Sequence, residues 1–108
     1  MTRLGDIAYA RSGDKGAGAN IGVVARKESD YALLKRVLTS DAVARFFEDL
    51  RPAKVTRYEL PNLWALNFVL SEILDGGGSV SLRLDAQGKT LGQRLLEMRI
   101  DQSGESHG

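Results

Sequence analysis

The chain has 108 residues, of which 43% are apolar and 27% charged, and its net charge is +1 at pH 7. These values predict one soluble domain with a single core. They argue against nucleic-acid binding, which needs a basic field and more aromatic residues than the 6% present. The absence of cysteine and the single histidine, His107, argue against metal sites and against cysteine or Ser-His-Asp nucleophiles. With no long apolar run and no secretory signal, we expect a cytoplasmic protein with no membrane partner and no cofactor.

The first half of the chain predicts two strands followed by two helices. The segments "LGDIAYAR" (4–11) and "NIGVVAR" (20–26) are typical of strands. Gly22, inside the second strand, indicates a close approach by another backbone or by a ligand. The segments "SDYALLKRVL" (29–38) and "SDAVARFFEDL" (40–50) predict helices, the second with Ser40 or Asp41 as its N-cap.

The second half predicts alternating strands and helices. "KVTRYEL" (54–60) alternates like a strand, whereas "NLWALNFVLSEIL" (62–74) predicts a long helix with Asn62 as N-cap. The apolar residues of that predicted helix cover more than one of its faces. We therefore expect a self-association surface near Trp64 and Phe68. The remaining segments predict a strand at 79–84, a short helix at 90–98 capped by Thr90, an edge strand at 99–101 and a disordered polar tail at 102–108.

The order β-β-α-α-β-α-β-α predicts an α+β fold. We expect a two-layer sandwich over residues 1–101, with a mixed β-sheet covered by helices on one face. The glycine-rich segment "RSGDKGAGANIG" (11–22) does not turn this fold into a nucleotide-binding one. Gly16, Gly18 and Gly22 miss the dinucleotide spacing by one residue, and "QGKT" (87–90) lacks the first Walker A glycine because Arg83 stands there.

Two interpretations of the glycine-rich segment remain. Its backbone N–H groups could face an anion, with Arg11 and Lys15 adding charge and Asn20 an orienting amide. Alternatively, it is a hairpin connection in which the glycines only supply turns and the Asp14–Lys15 pair is solvated. Under the first interpretation, the ligand-binding candidates are Arg11, Ser12, Gly13, Asp14, Lys15, Gly16, Asn20, Asn62 and Asn67.

Other polar residues have equally open roles. Asn67 borders the predicted apolar stripe, and a buried amide needs a partner, which Ser71, a strand edge or a ligand could supply. Asp85 and Lys89 pair across a turn, which is usually only a weak exposed ion pair. If the two polar loops converge, Asp14, Lys15, Asp85 and Lys89 are the candidate acid–base groups.

Three blocks, "LGDIAYARSGDKGAGANIGVVAR", "YELPNLWALNFVL" and "SLRLDAQGKTLGQRLL", resemble the small domain of the acyclic terpene utilisation (AtuA-like) family. The resemblance implies a ferredoxin-like fold, here in its stand-alone form, with a separately encoded large AtuA-like subunit as partner. It implies a role in the catabolism of branched, terpenoid acids through CoA thioesters, and it carries over no catalytic residue. It adds weight to Ser12–Gly16, Asn20, Asn62, Asn67 and 85–89. Because a strict β-α-β-β-α-β order does not emerge, either the first loop holds a helical turn or the topology is a variant.

Three functions follow as hypotheses. The leading one is an accessory subunit, also a homo-oligomer, that docks through Trp64 and Phe68 and presents Ser12–Gly16 to an anionic ligand. The second is a small stand-alone lyase or hydratase with its active site at a subunit interface. The third is a purely structural oligomerisation domain.

Overall fold

The structure, a computed structural model, describes residues 2–15, 18–72 and 90–100. Its strands are β1 (Thr2–Arg3), β2 (Ala8–Lys15), β3 (Gly18–Ala25), β4 (Lys54–Leu60), β5 (Ala65–Ser71) and β6 (Arg99–Ile100). Its α-helices are α1 (Glu28–Val37), α2 (Ser40–Phe46) and α3 (Leu91–Leu95), and single 3-10 turns span Leu4–Asp6, Glu48–Leu50 and Pro61–Leu63. No helix in this part of the chain combines the length and apolar character that a membrane span requires.

Four of the described strands form an antiparallel sheet in the order β2-β3-β5-β4, and β1 pairs separately with β6. The chain passes from β3 through α1 and α2 to β4, and β5 then returns between β3 and β4. This is a split β-α-β unit, the building block of ferredoxin-like folds. The α+β class is therefore confirmed, although the four-stranded sheet is antiparallel throughout rather than mixed.

The position of β2 explains why the strict β-α-β-β-α-β order does not emerge. β2 occupies the sheet edge beside β3 and precedes β3 along the chain. The two strands pair continuously from Ala8 opposite Ala25 to Lys15 opposite Gly18. The topology is thus a variant. The residues at 12–15 and 18–19, which the sequence predicts to lie in the connection between two strands, belong to the strands themselves.

The hydrophobic core lies between the sheet and the helices. Alternate residues of the central strands point into it, including Ile21 and Val23 of β3 and Leu66, Phe68 and Leu70 of β5. Burial of each large side chain contributes about 1.5–3 kcal/mol before conformational entropy is subtracted. The helices and the ends of the chain add Leu4, Leu34, Leu38, Val43, Phe47, Leu91 and Leu95.

The predicted helix at 62–74 is wrong, because β5 spans Ala65–Ser71. Its apolar residues fit both a helical period and the alternation of Leu66, Phe68 and Leu70, which local sequence does not separate. Pairing with β3 and β4 on both sides decides for the strand. Asn62 is therefore not a helix N-cap; it lies in the Pro61–Leu63 turn that joins β4 to β5.

The placement of Phe68 on the expected Trp64/Phe68 surface is also wrong. In a strand, Phe68 points into the core and is fully buried, whereas Trp64 lies before β5 and is 39% exposed. Leu63, the last residue of the Pro61–Leu63 turn, is 64% exposed. Ile73, Leu74 and the predicted strand at 79–84 lie outside the described residues, as does the tail at 102–108.

The other predicted elements are confirmed with shifted ends. The strand at 54–60 is β4, and the helices at 29–38 and 40–50 are α1 and α2 followed by the Glu48–Leu50 turn. Thr39, rather than Ser40 or Asp41, caps α2, because its Oγ1 accepts the N–H of Ala42 at 3.0 Å. Thr90 caps α3 in a capping box with Gln93.

Arg57 of β4 fixes the helix layer to the sheet. Its guanidinium donates to the carbonyl oxygens of Lys35 and Leu38 at 2.8 and 3.1 Å, at the C-terminal end of α1. A cation is favourable there because the last carbonyls of a helix carry partial negative charge. Glu59 completes the arrangement through an ion pair with Arg57 at 2.8 Å.

Candidate functional site

The side of the four-stranded sheet that faces away from the helices is called the open face below. Residues directly opposite each other in the strand pairs share a face, so the register identifies its members. The two outer strands, β2 and β4, are about 14 Å apart, which is three strand spacings of about 4.8 Å. The described side chains and glycines on the open face are Tyr9, Arg11 and Gly13 of β2, Gly18, Asn20, Gly22 and Val24 of β3, Ala65, Asn67, Val69 and Ser71 of β5, and Lys54, Thr56, Tyr58 and Leu60 of β4.

Exposed apolar surface is concentrated on and beside the open face. All of the exposed large apolar side chains in the described part of the chain lie on the open face or in the turn from β4 to β5. A large apolar patch of this kind usually marks an interaction site on a soluble domain. The exposed fractions are 55% for Tyr9, 52% for Tyr58, 42% for Leu60, 39% for Val24, 64% for Leu63 and 39% for Trp64.

Trp64 is held at the end of this patch by a strained backbone. Its φ of 53° and ψ of 42° place it in the left-handed region, which is rare for a bulky residue. The N–H of Trp64 donates to the carbonyl of Pro61 at 3.2 Å, and its carbonyl accepts the N–H of Ala25 at 2.8 Å. Such strain persists where surrounding contacts enforce it, and it often accompanies a functional site.

Two amides stand at the centre of the open face. The Nδ2 of Asn20 donates to the Oδ1 of Asn67 at 3.4 Å, across the pair β3–β5. Both side chains are half-buried, and each amide retains donor or acceptor capacity that this one long bond does not use. Asn67 therefore has a partner on the neighbouring strand, Asn20, whereas Ser71, one of the partners considered above, lies on its own strand.

The glycines of the open face differ in what they require. A Cβ at Gly18 would lie 2.1 Å from the carbonyl oxygen of Leu70, so close packing of β3 against β5 demands glycine there. A Cβ at Gly22 would approach nothing described closer than the Oδ1 of Asn67 at 3.8 Å, which is an ordinary contact. The close approach expected at Gly22 is therefore not made by this chain's described residues, and the backbone there is left bare.

Positive charge is spread over the open face. Arg11 is exposed opposite Gly22, Lys54 stands opposite Ser71, and the guanidinium of Arg26 lies 4.0 Å from the ring centre of Tyr9. Cation–π stacking of this kind holds the guanidinium over the ring. No group of three or more metal-binding side chains occurs among the residues described.

Ser12 lies on the helix side of the sheet. Its Oγ accepts the N–H of Gly92 at 3.0 Å, which fastens the first turn of α3 to β2. A Cβ at Gly92 would lie 3.2 Å from the carbonyl carbon of Arg11, so the helix sits tightly on the strand. Ser12 thus serves packing in this structure and does not join the amides.

The other predicted site residues divide as follows. The open face brings together Arg11, Gly13, Asn20 and Asn67. Asn62 is exposed in the β4–β5 turn, separate from the amides. Gly16, Asp85, Lys89 and the side chains of Asp14 and Lys15 lie outside what is described, so an acid–base pair among them stays a prediction.

Sequence reasoning missed the two tyrosines of the site. Tyr58 stands opposite Asn67, and Tyr9 stands opposite Val24. The alternation of Thr56, Tyr58 and Leu60 in "KVTRYEL" is the signal that identifies Tyr58. A strand that alternates in this way has a second face, which points away from the core. The resulting combination of guanidinium, amide and phenol groups suits recognition of a carboxylate, a phosphate or a polypeptide surface.

A comparison with known families identifies the chain's family. The model of the AtuA ferredoxin-like domain matches residues 2–101, which is nearly the whole chain. No curated protein and no solved structure matches the chain.

Proposed function

Because the chain belongs to the family of AtuA ferredoxin-like domains, we propose that it is an accessory subunit that docks through the open face on a larger AtuA-like protein. This role places it in the catabolism of branched or terpenoid acids carried as CoA thioesters. The large subunit is separately encoded, and the chain itself contributes binding rather than the reaction.

One observation carries the docking role: the large exposed apolar side chains of the described residues gather on one side of the molecule. The helix layer exposes no comparable set in the described part of the chain. Tyrosine, tryptophan and arginine dominate the energetics of protein interfaces, and Tyr9, Tyr58, Trp64 and Arg11 stand on or beside this face.

An anionic ligand is proposed at the centre of the same face. Arg11 supplies a guanidinium that can pair with a carboxylate or phosphate, and Asn20 and Asn67 supply amide dipoles. The bare backbone at Gly22 lets a ligand lie close to the sheet. A CoA-linked acid held between the two subunits would meet all of these groups.

Purification of the tagged chain from its native host tests the docking role. We expect a large AtuA-like protein to be recovered and identified by mass spectrometry. The variant Tyr58→Ala should recover less of it, whereas Arg45→Ala, on α2, should recover as much as the unchanged protein. Recovery of the small chain alone under gentle conditions would contradict the proposal.

The ligand role is tested by thermal unfolding with coenzyme A and an acyl-CoA. We expect the acyl-CoA to raise the Tm of the complex, because a ligand that binds the folded state stabilises it. Asn67→Ala should abolish that increase, and Arg45→Ala should preserve it. An unchanged Tm in the unmodified complex would sink the ligand assignment while leaving the docking role standing.

A further inference from the structure

The charged side chains described on the open face are positive. At its described strand positions stand Arg11 and Lys54, and Arg26 reaches over Tyr9. No aspartate or glutamate is found among the described side chains of the open face. The net charge of +1 for the whole chain conceals this asymmetry.

The acidic residues of the described part lie elsewhere. Glu59 takes a helix-side position on β4, where it pairs with Arg57. The others are on the helices, in the turns that flank them or at the strand ends. The helix layer carries Glu28, Asp30, Asp41, Glu48 and Asp49.

We propose that the open face recognises a polypeptide surface whose apolar centre is bordered by carboxylates, rather than a second copy of the same face. This proposal rests on the proposed function and specifies the surface of the partner. Opposite charge across an interface favours association, and juxtaposed like charges suppress the wrong partner.

A symmetric dimer through the open face fits this charge distribution poorly. Two-fold symmetry brings the same patch of each copy together. Arg11 and Lys54 of one copy would then face a surface with no described carboxylate to receive them. An acidic partner removes that repulsion and keeps the apolar contacts of Tyr9, Tyr58 and Trp64.

The dimensions of the open face make charge important. It measures about 14 Å between its outer strands and about 20 Å along them, estimated from the usual strand spacing and rise. Such an area is a few hundred Å², below the roughly 800 Å² that each partner buries in a standard interface. Apolar contact there is limited, and we expect the complex to weaken as salt screens the charges.

Charge reversal tests the proposal on the full chain. The probe is the purified large AtuA-like protein of the same organism, with binding measured by titration calorimetry. The variant Arg11→Glu/Lys54→Glu should bind it at least about tenfold more weakly, a loss of about 1.4 kcal/mol. The matched control Arg36→Glu/Arg45→Glu makes the same charge change on α1 and α2, and it should bind within about twofold.

A second measurement does not depend on the variants folding. Binding of the unchanged chain should weaken steadily as salt is raised, and the isolated chain should sediment as a monomer at concentrations where the complex forms.

A milder variant, Arg11→Gln/Lys54→Gln, removes the two charges without adding any. It should give an affinity between those of the unchanged chain and the charge-reversal variant.

Three results would overturn the proposal, and they are distinguishable. Equal binding by both charge-reversal variants would place docking on another face and would leave the accessory role intact. A dimer of the isolated chain that Arg11→Glu/Lys54→Glu dissociates would make a second copy the partner. A large subunit that does not bind at all would remove the proposed function and this inference together.

Discussion

The two faces of the four-stranded sheet are built from alternate residues of the same strands, yet their surroundings differ sharply. Phe68 is completely buried against the helices, while the neighbouring residues Asn67 and Val69 stand on the open face and are only half-buried. Arg57 bonds the end of α1, while Tyr58 beside it is 52% exposed. The helix side holds the hydrophobic core, and the open face carries exposed aromatic and basic side chains. Substitutions of neighbouring residues can therefore separate stability from binding.

The largest effect is expected from Phe68→Ala. Removal of a fully buried phenylalanine loses its transfer free energy and leaves a cavity, at a cost of about 3–5 kcal/mol in unfolding free energy. The control Val69→Ala, on the open face, should cost less than about 1.5 kcal/mol. Urea unfolding followed by circular dichroism measures both, and similar losses for the two would contradict the assignment of faces.

The next effect separates two glycines of β3. Gly18→Ala should destabilise the domain by on the order of 3 kcal/mol, because the new Cβ would collide with the carbonyl of Leu70. Gly22→Ala should leave stability within about 1 kcal/mol, because its Cβ meets only ordinary contacts. If Gly22 leaves space for a partner or ligand, Gly22→Ala should still weaken the binding of the large subunit. If Gly22→Ala binds the large subunit with unchanged affinity, the bare backbone at Gly22 is not part of the site.

How far the sequence predicts the fold depends on whether a pattern is local. "KVTRYEL" alternates cleanly and gives β4 its observed bounds, and Thr90 is the predicted cap of the helix that the structure shows as α3. In "NLWALNFVLSEIL" the apolar residues satisfy two periods at once, and only pairing with distant strands selects one. The strand β5 is therefore missed for a reason that no single segment reveals.

The candidate site follows the same rule. Arg11, Gly13, Asn20 and Asn67 are found from the sequence because polar residues and glycines in apolar runs are conspicuous. Their common face depends on register: Asn67 is 47 residues from Asn20 along the chain, and only the pairing of β3 with β5 brings them together. Ser12 shows the converse, since one position along β2 moves a polar side chain to the helix side.

A third comparison concerns Arg57 and Tyr58. Arg57→Ala should lower the unfolding free energy by about 2 kcal/mol, because two carbonyls at the end of α1 lose a charged donor. Tyr58→Ala should change stability by less than about 1 kcal/mol and should instead weaken the complex. Unfolding and calorimetric titration of the two variants measure this crossed pattern. If Tyr58→Ala were the more destabilising change, the open face would contribute to folding as well.

The smallest effect is expected from Tyr31→Phe, on the helix side. Tyr31 is 6% exposed, and its hydroxyl has no hydrogen-bond partner among the described residues. Removal of an unsatisfied buried hydroxyl should change the unfolding free energy by less than about 1 kcal/mol, in the stabilising direction. Urea unfolding at neutral pH checks the sign. A clear loss of stability would mean that the hydroxyl bonds the nearby backbone of Leu60.

The same variant gives a pH dependence. Burial, and then the carboxylate of Glu59, raise the pKa of Tyr31 above its ordinary value of 10.0, while Arg57 lowers it. Above pH 10 the unfolded chain therefore loses the phenolic proton first, and the unchanged protein loses stability as the pH rises toward the folded-state pKa. Tyr31→Phe lacks this contribution, so its advantage over the unchanged protein should grow between pH 8 and pH values above 10. A constant difference across that range would show that the Tyr31 phenol ionises equally in the folded and unfolded chains, and that it is not enclosed by the helix layer.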